Sequence, residues 1–270
     1  MGGTGTEMSF WEHLDALRTA LLKTIAVTLV FGIIAFCFKE MLFNIVLAPK
    51  DSGFITYRLL DHIGKLFGST GGLPGFKVEL INTGLAQQFI THMKTAVCAG
   101  VICASPYAVY QIFRFVSPAL YENERHYAVR VAGSGYLLFM LGVAICYFII
   151  FPLTFRFLGT YQVSPDVENL ISLQSYISTL LMMCLVMGIV FEIPVLAWMF
   201  AKLGFLTADF MKKYRRHAIV VILVIAAIIT PTSDIFTLLI VSLPIWLLYE
   251  ASIGIVKRAG KKTGKMPDSF

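Results

Sequence analysis

The chain has 270 residues, of which 57% are hydrophobic and 14% charged, with a formal net charge of +6. Its mean hydropathy is +0.78, whereas soluble domains carry about 25% charged residues. A soluble fold of this length has too little interior to hide so many apolar side chains, so a globular water-soluble enzyme is excluded and a polytopic membrane protein is implied.

In chain order, the N-terminal eighteen residues are polar and end in His13, Asp15 and Arg18. The apolar run 19–38 follows, too long for a signal core and lacking a small-residue cleavage site, and is read as a retained first span. A span needs about 20 mostly apolar residues. Further runs lie at 85–113, 128–158, 173–201, 214–230 and 235–252. Helix is the expected form, because a single helix satisfies its own backbone groups in lipid and no barrel-strand alternation is seen. Segment 39–84 is long and mixed. It has a turn region around Gly68–Gly72 and Pro74-Gly75, and over 55–67 it places Leu59, Leu60, Ile63, Leu66 and Phe67 at helical spacing. A short amphipathic helix packed on the ends of the spans is expected there, with a membrane-surface role as the alternative. Runs five and six are short. The fifth would rise only about 26 Å as a helix, and the sixth contains Pro244 and Glu250. Local bilayer thinning and simple snorkelling of basic ends are both open readings. The tail 257–270 is basic and is expected to be disordered. The expected fold is all-α: one six-helix transmembrane domain over 1–256, with both termini on one side.

Lys and Arg set the side. Segments 159–172 and 231–234 contain neither; the link after the second run carries Arg114, Arg125 and Arg130, and the next carries Lys202, Lys212, Lys213, Arg215 and Arg216. The basic loops and tail are therefore expected in the cytoplasm. Segment 39–84 dissents with Lys39, Lys50, Arg58, Lys65 and Lys77, but its length weakens its vote. The basic excess reads as topology rather than as a nucleic-acid site. Cys37, Cys98, Cys103, Cys146 and Cys184 all fall inside apolar runs, as small hydrophobes rather than a disulfide framework or a metal site.

No catalytic signature is present. The chain lacks a phosphate-binding loop and a His-Glu-x-x-His metal motif. Gly133-Ser134-Gly135 fails as a nucleophile turn because Leu137 holds the second glycine position, and reads as small residues for close helix packing. No cofactor or metal is implied. The ionisable residues near lipid remain. Glu192, in Phe191-Glu192-Ile193-Pro194, is either a functional polar spot on a concave face or a protonated partner of a carbonyl freed by Pro194. Lys94 and His92 lie within the second run, where snorkelling is the default for Lys94. Asp234 suits a helix cap. The link from Phe113 to Arg125 mixes aromatics, a proline turn, Glu122 and Glu124 within a basic margin. A carboxylate beside apolar residues suits an arginine-bearing peptide; two acids in a helix's first turn are the equal alternative.

Taken in order, these residues resemble the TatC family, the receptor core of the twin-arginine protein translocase. The resemblance rests on Phe10-Trp11-Glu12-His13-Leu14-Asp15-Ala16-Leu17-Arg18, Leu47-Ala48-Pro49, Ser105-Pro106-Tyr107, Phe115-Val116-Ser117-Pro118-Ala119-Leu120-Tyr121, Glu124-Arg125, Phe191-Glu192-Ile193-Pro194, Thr230-Pro231 with Asp234, and Leu243-Pro244 with Glu250. It implies a glove-like bundle with a concave face and short helices five and six, in a bacterial inner membrane. It also implies recognition of twin-arginine signal peptides on folded precursors, and passage driven by the proton gradient. The implied partners are TatA-like and TatB-like single-span proteins, the lipid bilayer and further copies of the chain, with no nucleic acid. By the same carry-over Glu124 binds the arginine pair, with Phe115, Pro118, Leu120, Tyr121, Leu14, Asp15, Leu17 and Arg18 around it. Glu192 and Lys94 are the intramembrane polar residues. Pro49, Thr230, Pro231, Asp234 and Glu250 serve structure or partner docking. One departure stands out: the family's glutamate position holds Ala16, with Asp15 one residue earlier, a rotation of about 100° on a helix. The expectation is that Glu124 then binds more of the ligand charge alone. The alternative function is a proton-coupled small-solute transporter.

Overall fold

All six apolar runs fold as helix. The computed structural model describes residues 10–66, 78–116, 128–162, 164, 166, 169–230 and 234–263. In chain order these are α1 (Phe10–Cys37), α2 (Lys39–Leu47), a 3-10 turn (Ala48–Lys50), α3 (Ile55–Leu66), β1 (Leu80–Ile81), α4 (Gln87–Val116), α5 (Ala128–Ile145), a π-helical turn (Cys146–Ile150), α6 (Phe151–Thr160), β2 (Ile171–Ser172), α7 (Leu173–Val190), α8 (Ile193–Lys202), α9 (Ala208–Lys213), α10 (Arg215–Ile229) and α11 (Ile235–Thr263). Segments Trp11–Cys37, Gln87–Phe115, Val131–Thr160, Leu173–Lys202 and Ile235–Gly260 are each long and apolar enough to cross a bilayer. The remaining apolar helix, α10, has 15 residues and rises about 22 Å, short of the roughly 30 Å hydrocarbon core.

Prolines shape the spans, and each leaves a carbonyl to satisfy. A proline has no N–H, so the carbonyl four residues before it loses its helical donor, which in lipid must be replaced. Pro106 lies inside α4, and the Ser105 hydroxyl donates to the freed Ile102 carbonyl at 2.7 Å. Pro152 follows the π-helical turn of the third span, and the Thr56 hydroxyl of α3 donates to the Phe148 carbonyl four residues earlier. Pro194 interrupts the α-helix: α7 stops at Val190, Phe191-Glu192 form a turn, and α8 restarts at Ile193. The fourth span is therefore interrupted by a turn at Phe191-Glu192, at the place where the sequence pointed to a kink.

The core centres on α7. Tyr176, Ile177, Leu180, Met183 and Met187 pack against Cys146, Ile150 and Phe151 of the third span, Ile222 and Ala226 of α10, and Val241 and Ile245 of α11. Without a hydrophobic drive between helices in lipid, close packing supplies the attraction. The α1–α4 crossing shows how close: a Cβ on Gly100 would lie 2.6 Å from the Thr28 carbonyl and 2.7 Å from the Gly32 amide nitrogen, so only glycine lets the two backbones meet. The outward faces of α1 and α10 expose Leu29, Ile33, Val220 and Ile228 among other apolar residues, as lipid-facing surfaces do.

The last helix runs further than its apolar run. Residues 257–263, expected in a disordered tail, continue α11 to Thr263. Ile253 and Val256 pack with Ala197 and Met211, and Ala259 is buried, so the helix gains contacts well past residue 252. Arg215 and Glu250 pair at 2.7 Å and tie α10 to α11. At the end of the bundle away from Phe10, Leu80 pairs in parallel with Ile171 and Ile81 with Ser172. The dissenting segment 39–84 therefore ends on the same face as the segment 159–172 that lacks Lys and Arg.

Gly100→Val should loosen the α1–α4 crossing by about 1–3 kcal/mol, the usual cost of overpacking. Thermal unfolding of the purified protein in detergent checks this, with Gly254→Ala as the comparison because a Cβ at Gly254 meets nothing within 4 Å.

Candidate functional site

Two cavities flank the last turns of α4. The first, about 390 Å³, lies between α4 and the start of α1 and is lined by His13, Asp15, Ala16, Thr19, Ala20, Lys23, Gln111, Arg114 and Phe115. Ala16, Thr19, Ala20 and Lys23 recur at three- and four-residue steps, so they share one helix face. The two alanines make the hollow: their short side chains leave space that larger residues would fill. Gln111, Arg114 and Phe115 form the facing stripe on α4. The Phe115 ring stacks on His13, with centroids 4.1 Å apart, and closes one end. The Gln111 amide donates to the Tyr107 hydroxyl at 2.5 Å. The hollow thus offers one carboxylate, two cations, an amide and an aromatic wall, open to water at the rim.

The second cavity, about 300 Å³, lies on the opposite side of α4. It is lined by Val101, Ser105, Ala108, Val109, Ile112, Phe113, Phe139, Ile189, Glu192, Leu196 and Met199. It is apolar except for Ser105, whose hydroxyl is engaged by Ile102, and Glu192. The break between α7 and α8 aims Glu192 inward. Its Oε1 is buried with no hydrogen-bond partner among the described residues. Gly135 makes room for this carboxyl: a Cβ there would lie 3.0 Å from Glu192 Oε2 and 3.0 Å from Val109 Cγ1. The small residues noted at Gly133–Gly135 therefore serve close packing at Gly135, while Gly133 meets nothing within 4 Å.

The predicted site residues separate into groups. Phe115 and Asp15 line the first cavity; Leu14, Leu17 and Arg18 are exposed on α1 and do not line it. Glu124, Pro118, Leu120, Tyr121 and Pro231 lie outside the described residues. Lys94 is exposed on α4. Its neighbour His92 is buried and stacks on Phe36 at 4.1 Å. Pro49 is buried, and its carbonyl lies 3.0 Å from the Tyr57 hydroxyl. The Thr230 hydroxyl donates to the Ala226 carbonyl at 3.0 Å. Asp234 caps α11, accepting from the Thr237 amide at 2.8 Å and the Thr237 hydroxyl at 2.6 Å. Glu250 holds Arg215. These last contacts are all structural. Sequence reasoning missed His13, Lys23, Gln111 and Arg114 as lining residues. The position of Gln111, three residues before Arg114 and four before Phe115, was the available signal. Ala16 also faces the hollow, and Asp15 stays on its lining, so the one-residue shift does not remove the acid from the site.

The arrangement is that of a polytopic α-helical membrane protein with a polar hollow at one rim and, in an apolar slot, the half-buried Glu192 carboxyl. Residues 12–244 match the family model for TatC, Sec-independent protein translocase protein. The TatC protein of Blattabacterium sp. subsp. Periplaneta americana is 35% identical over 260 residues, covering 95% of this chain and 97% of its own length. That of Aquifex aeolicus is 33% identical over 256 residues, covering 94% and 97%. A crystal structure of the twin arginine translocase receptor TatC superposes with a TM-score of 0.73 at 33% identity, covering 92% of this chain and 99% of that one. A second crystal structure of that receptor, in the detergent DDM, gives 0.74 at 32% identity, covering 90% and 99%. The chain belongs to the TatC family. It is a component of protein translocation and not an enzyme, and the small-solute alternative falls with that assignment.

Glu192 Oε1 is buried without a hydrogen-bond partner among the described residues. Glu192→Leu should raise thermal stability in detergent by about 1–3 kcal/mol, because it removes a buried polar group that lacks a partner. A fall in the unfolding temperature would mean that the carboxyl has a stabilising partner.

Proposed function

We propose that this chain is the signal-peptide-binding core subunit of a twin-arginine translocase in a bacterial inner membrane, with both termini cytoplasmic. The observation that carries the reading is the rim hollow between α1 and α4, in a chain of the TatC family. It opens at the start of α1, beside Phe115 at the C-terminal end of α4, nine residues before Glu124 in the sequence. Two ligand arginines would be held by Glu124 and Asp15, with Phe115 offering a planar face for a guanidinium. Lys23 and Arg114 outnumber Asp15 on the described lining, so the arginine pair would depend mainly on Glu124 for its charge partner and a long basic tract is disfavoured. The apolar part of the signal would run along the exposed leucines Leu14 and Leu17 towards the lipid.

The orientation is supported by the loops. Segments 39–84 and 159–172 end on one face through their two-residue bridge, and 159–172 contains no Lys or Arg, so that face is read as extracytoplasmic. Glu192, in its apolar slot, would receive a polar group from a single-span partner of the TatA or TatB kind, and α10 with α11 would form the docking edge for it. Self-association completes the assembly.

Export of a folded fluorescent reporter bearing a twin-arginine signal tests the function: deletion of the chain should abolish export, and intact export after deletion would sink the reading. Binding of the signal peptide to the reconstituted protein tests the residues. Glu124→Ala should cost about 2–3 kcal/mol, as expected for truncating one partner of a hydrogen-bonded charge pair. Asp15→Ala, on an exposed rim, should cost about 1 kcal/mol or less. A larger loss for Asp15→Ala would reverse the assignment. A cysteine crosslink from Glu124→Cys to a signal position next to the arginines should form in the parent complex and be competed by free signal peptide.

A further inference from the structure

Helix α3 has three distinct sectors rather than two. At about 100° per residue, Thr56, Tyr57 and Leu60 form one sector, with Thr56 and Tyr57 buried. Arg58, Asp61, His62 and Lys65 form a polar sector, within which Lys65 pairs with Asp61 at 2.7 Å. Between them runs a third, apolar sector: Ile55, Leu59 and Ile63 are 63%, 61% and 45% exposed. A helix on a water-bathed loop would gain nothing from that stripe, since its inward face already buries the residues that hold it.

The depth of α3 is fixed by its contacts. The Tyr57 hydroxyl lies 3.0 Å from the Pro49 carbonyl and 3.0 Å from the Pro152 carbonyl, and the Thr56 hydroxyl donates to Phe148. Arg156 sits over the Tyr57 ring at 5.9 Å. Counted from Val131, where the third apolar span begins, a helix to Ile150 rises about 29 Å, against a hydrocarbon core of about 30 Å. The carbonyls that anchor α3 therefore lie where the hydrocarbon ends and headgroups begin. Helix α2, whose following 3-10 turn meets α3 at the Tyr57–Pro49 contact, also exposes apolar Met41 and Ile45. An apolar stripe beside a cationic sector at that depth matches an interfacial helix.

We propose that α3 lies in the plane of the membrane interface at this end of the bundle. Ile55, Leu59 and Ile63 enter the acyl boundary, and Arg58, His62 and Lys65 turn towards lipid phosphates. The docked helix sets the depth and tilt of the third span, and through α2 the point at which α1 leaves the lipid. The proposal requires only that the chain spans a bilayer; the orientation read above adds that the leaflet is the extracytoplasmic one.

The test uses the full chain in proteoliposomes of phosphatidylethanolamine and phosphatidylglycerol, with the exposed Cys37 and Cys103 replaced by serine; the other three cysteines are buried. Spin labels at Leu59→Cys and Ile63→Cys should collide more with oxygen than with a water-soluble nickel chelate, and the ratio should invert at His62→Cys. Nickel access at 59 and 63 equal to that at 62 would show a water-facing helix. Exclusion of both reagents from 59 and 63 would show a protein cover, either a second copy or another part of the chain. Either result overturns the proposal. Bromolipid quenching of a Leu59→Trp variant gives the depth without labelling: stronger quenching by bromine near the headgroup than at the chain end supports the interface, and no quenching above the parent overturns it. A wrong orientation would leave these ratios unchanged and alter only which side admits the chelate, and failed export would leave them untouched as well.

Discussion

Inside hydrocarbon every backbone carbonyl needs a donor, and this protein is organised around the places where proline removes one. A soluble helix could lend a freed carbonyl to water; here the replacement must come from the chain. Ser105 supplies it within α4, one residue before Pro106. Thr56 supplies it from a different element, and in doing so docks α3 onto the third span. At Pro194 the α-helix is interrupted by a turn at Phe191-Glu192, held by backbone bonds from Phe191 to Met187 and from Glu192 to Ile189. Three prolines thus give three outcomes: a patched helix, a docking point for a surface helix, and a break that carries the one carboxyl aimed into the apolar slot.

The two cavities follow from the same economy of space. Glycine at position 100 lets α1 approach α4 closely at mid-height. Towards the N-terminal end of α1, Ala16 and Ala20 are too small to fill the gap between the diverging helices, and the hollow opens there with Phe115 stacked on His13 as its wall. On the far side of α4, Gly135 cedes its side-chain volume to the Glu192 carboxyl. One helix thereby separates a wet, charged hollow from a dry slot. Because α1 packs mainly on α4, the geometry of the hollow depends on that single crossing.

Much of this was legible beforehand, for identifiable reasons. The spans were legible because lipid imposes a length and an apolar composition that no soluble helix must meet. The helix over 55–66 was legible because its apolar residues recur at helical spacing. The break at Pro194 was legible because the chemistry of proline is local. The boundary of α11 was not: its apolar run stops near residue 252, but Ile253 and Val256 find partners on α8 and α9 and Ala259 is buried, which sequence alone does not reveal. The lining residues Gln111 and Arg114 were overlooked for the same reason. They occupy an ordinary helix end, and only the neighbouring α1 turns their face into a wall.

The sequence by itself determined that the chain lives in lipid, where its helices lie, and which family its motifs resemble. These properties depend on composition and on short-range spacing. Only the tertiary structure decided that Ala16 and Asp15 share one hollow with Phe115, that Glu192 faces a slot rather than lipid, and that α3 docks at the level of Phe148 and Pro152. Each of those depends on how close two helices approach. That distance is set by side-chain volume on both partners at once, at positions as far apart in the chain as Thr28 and Gly100 or Thr56 and Phe148.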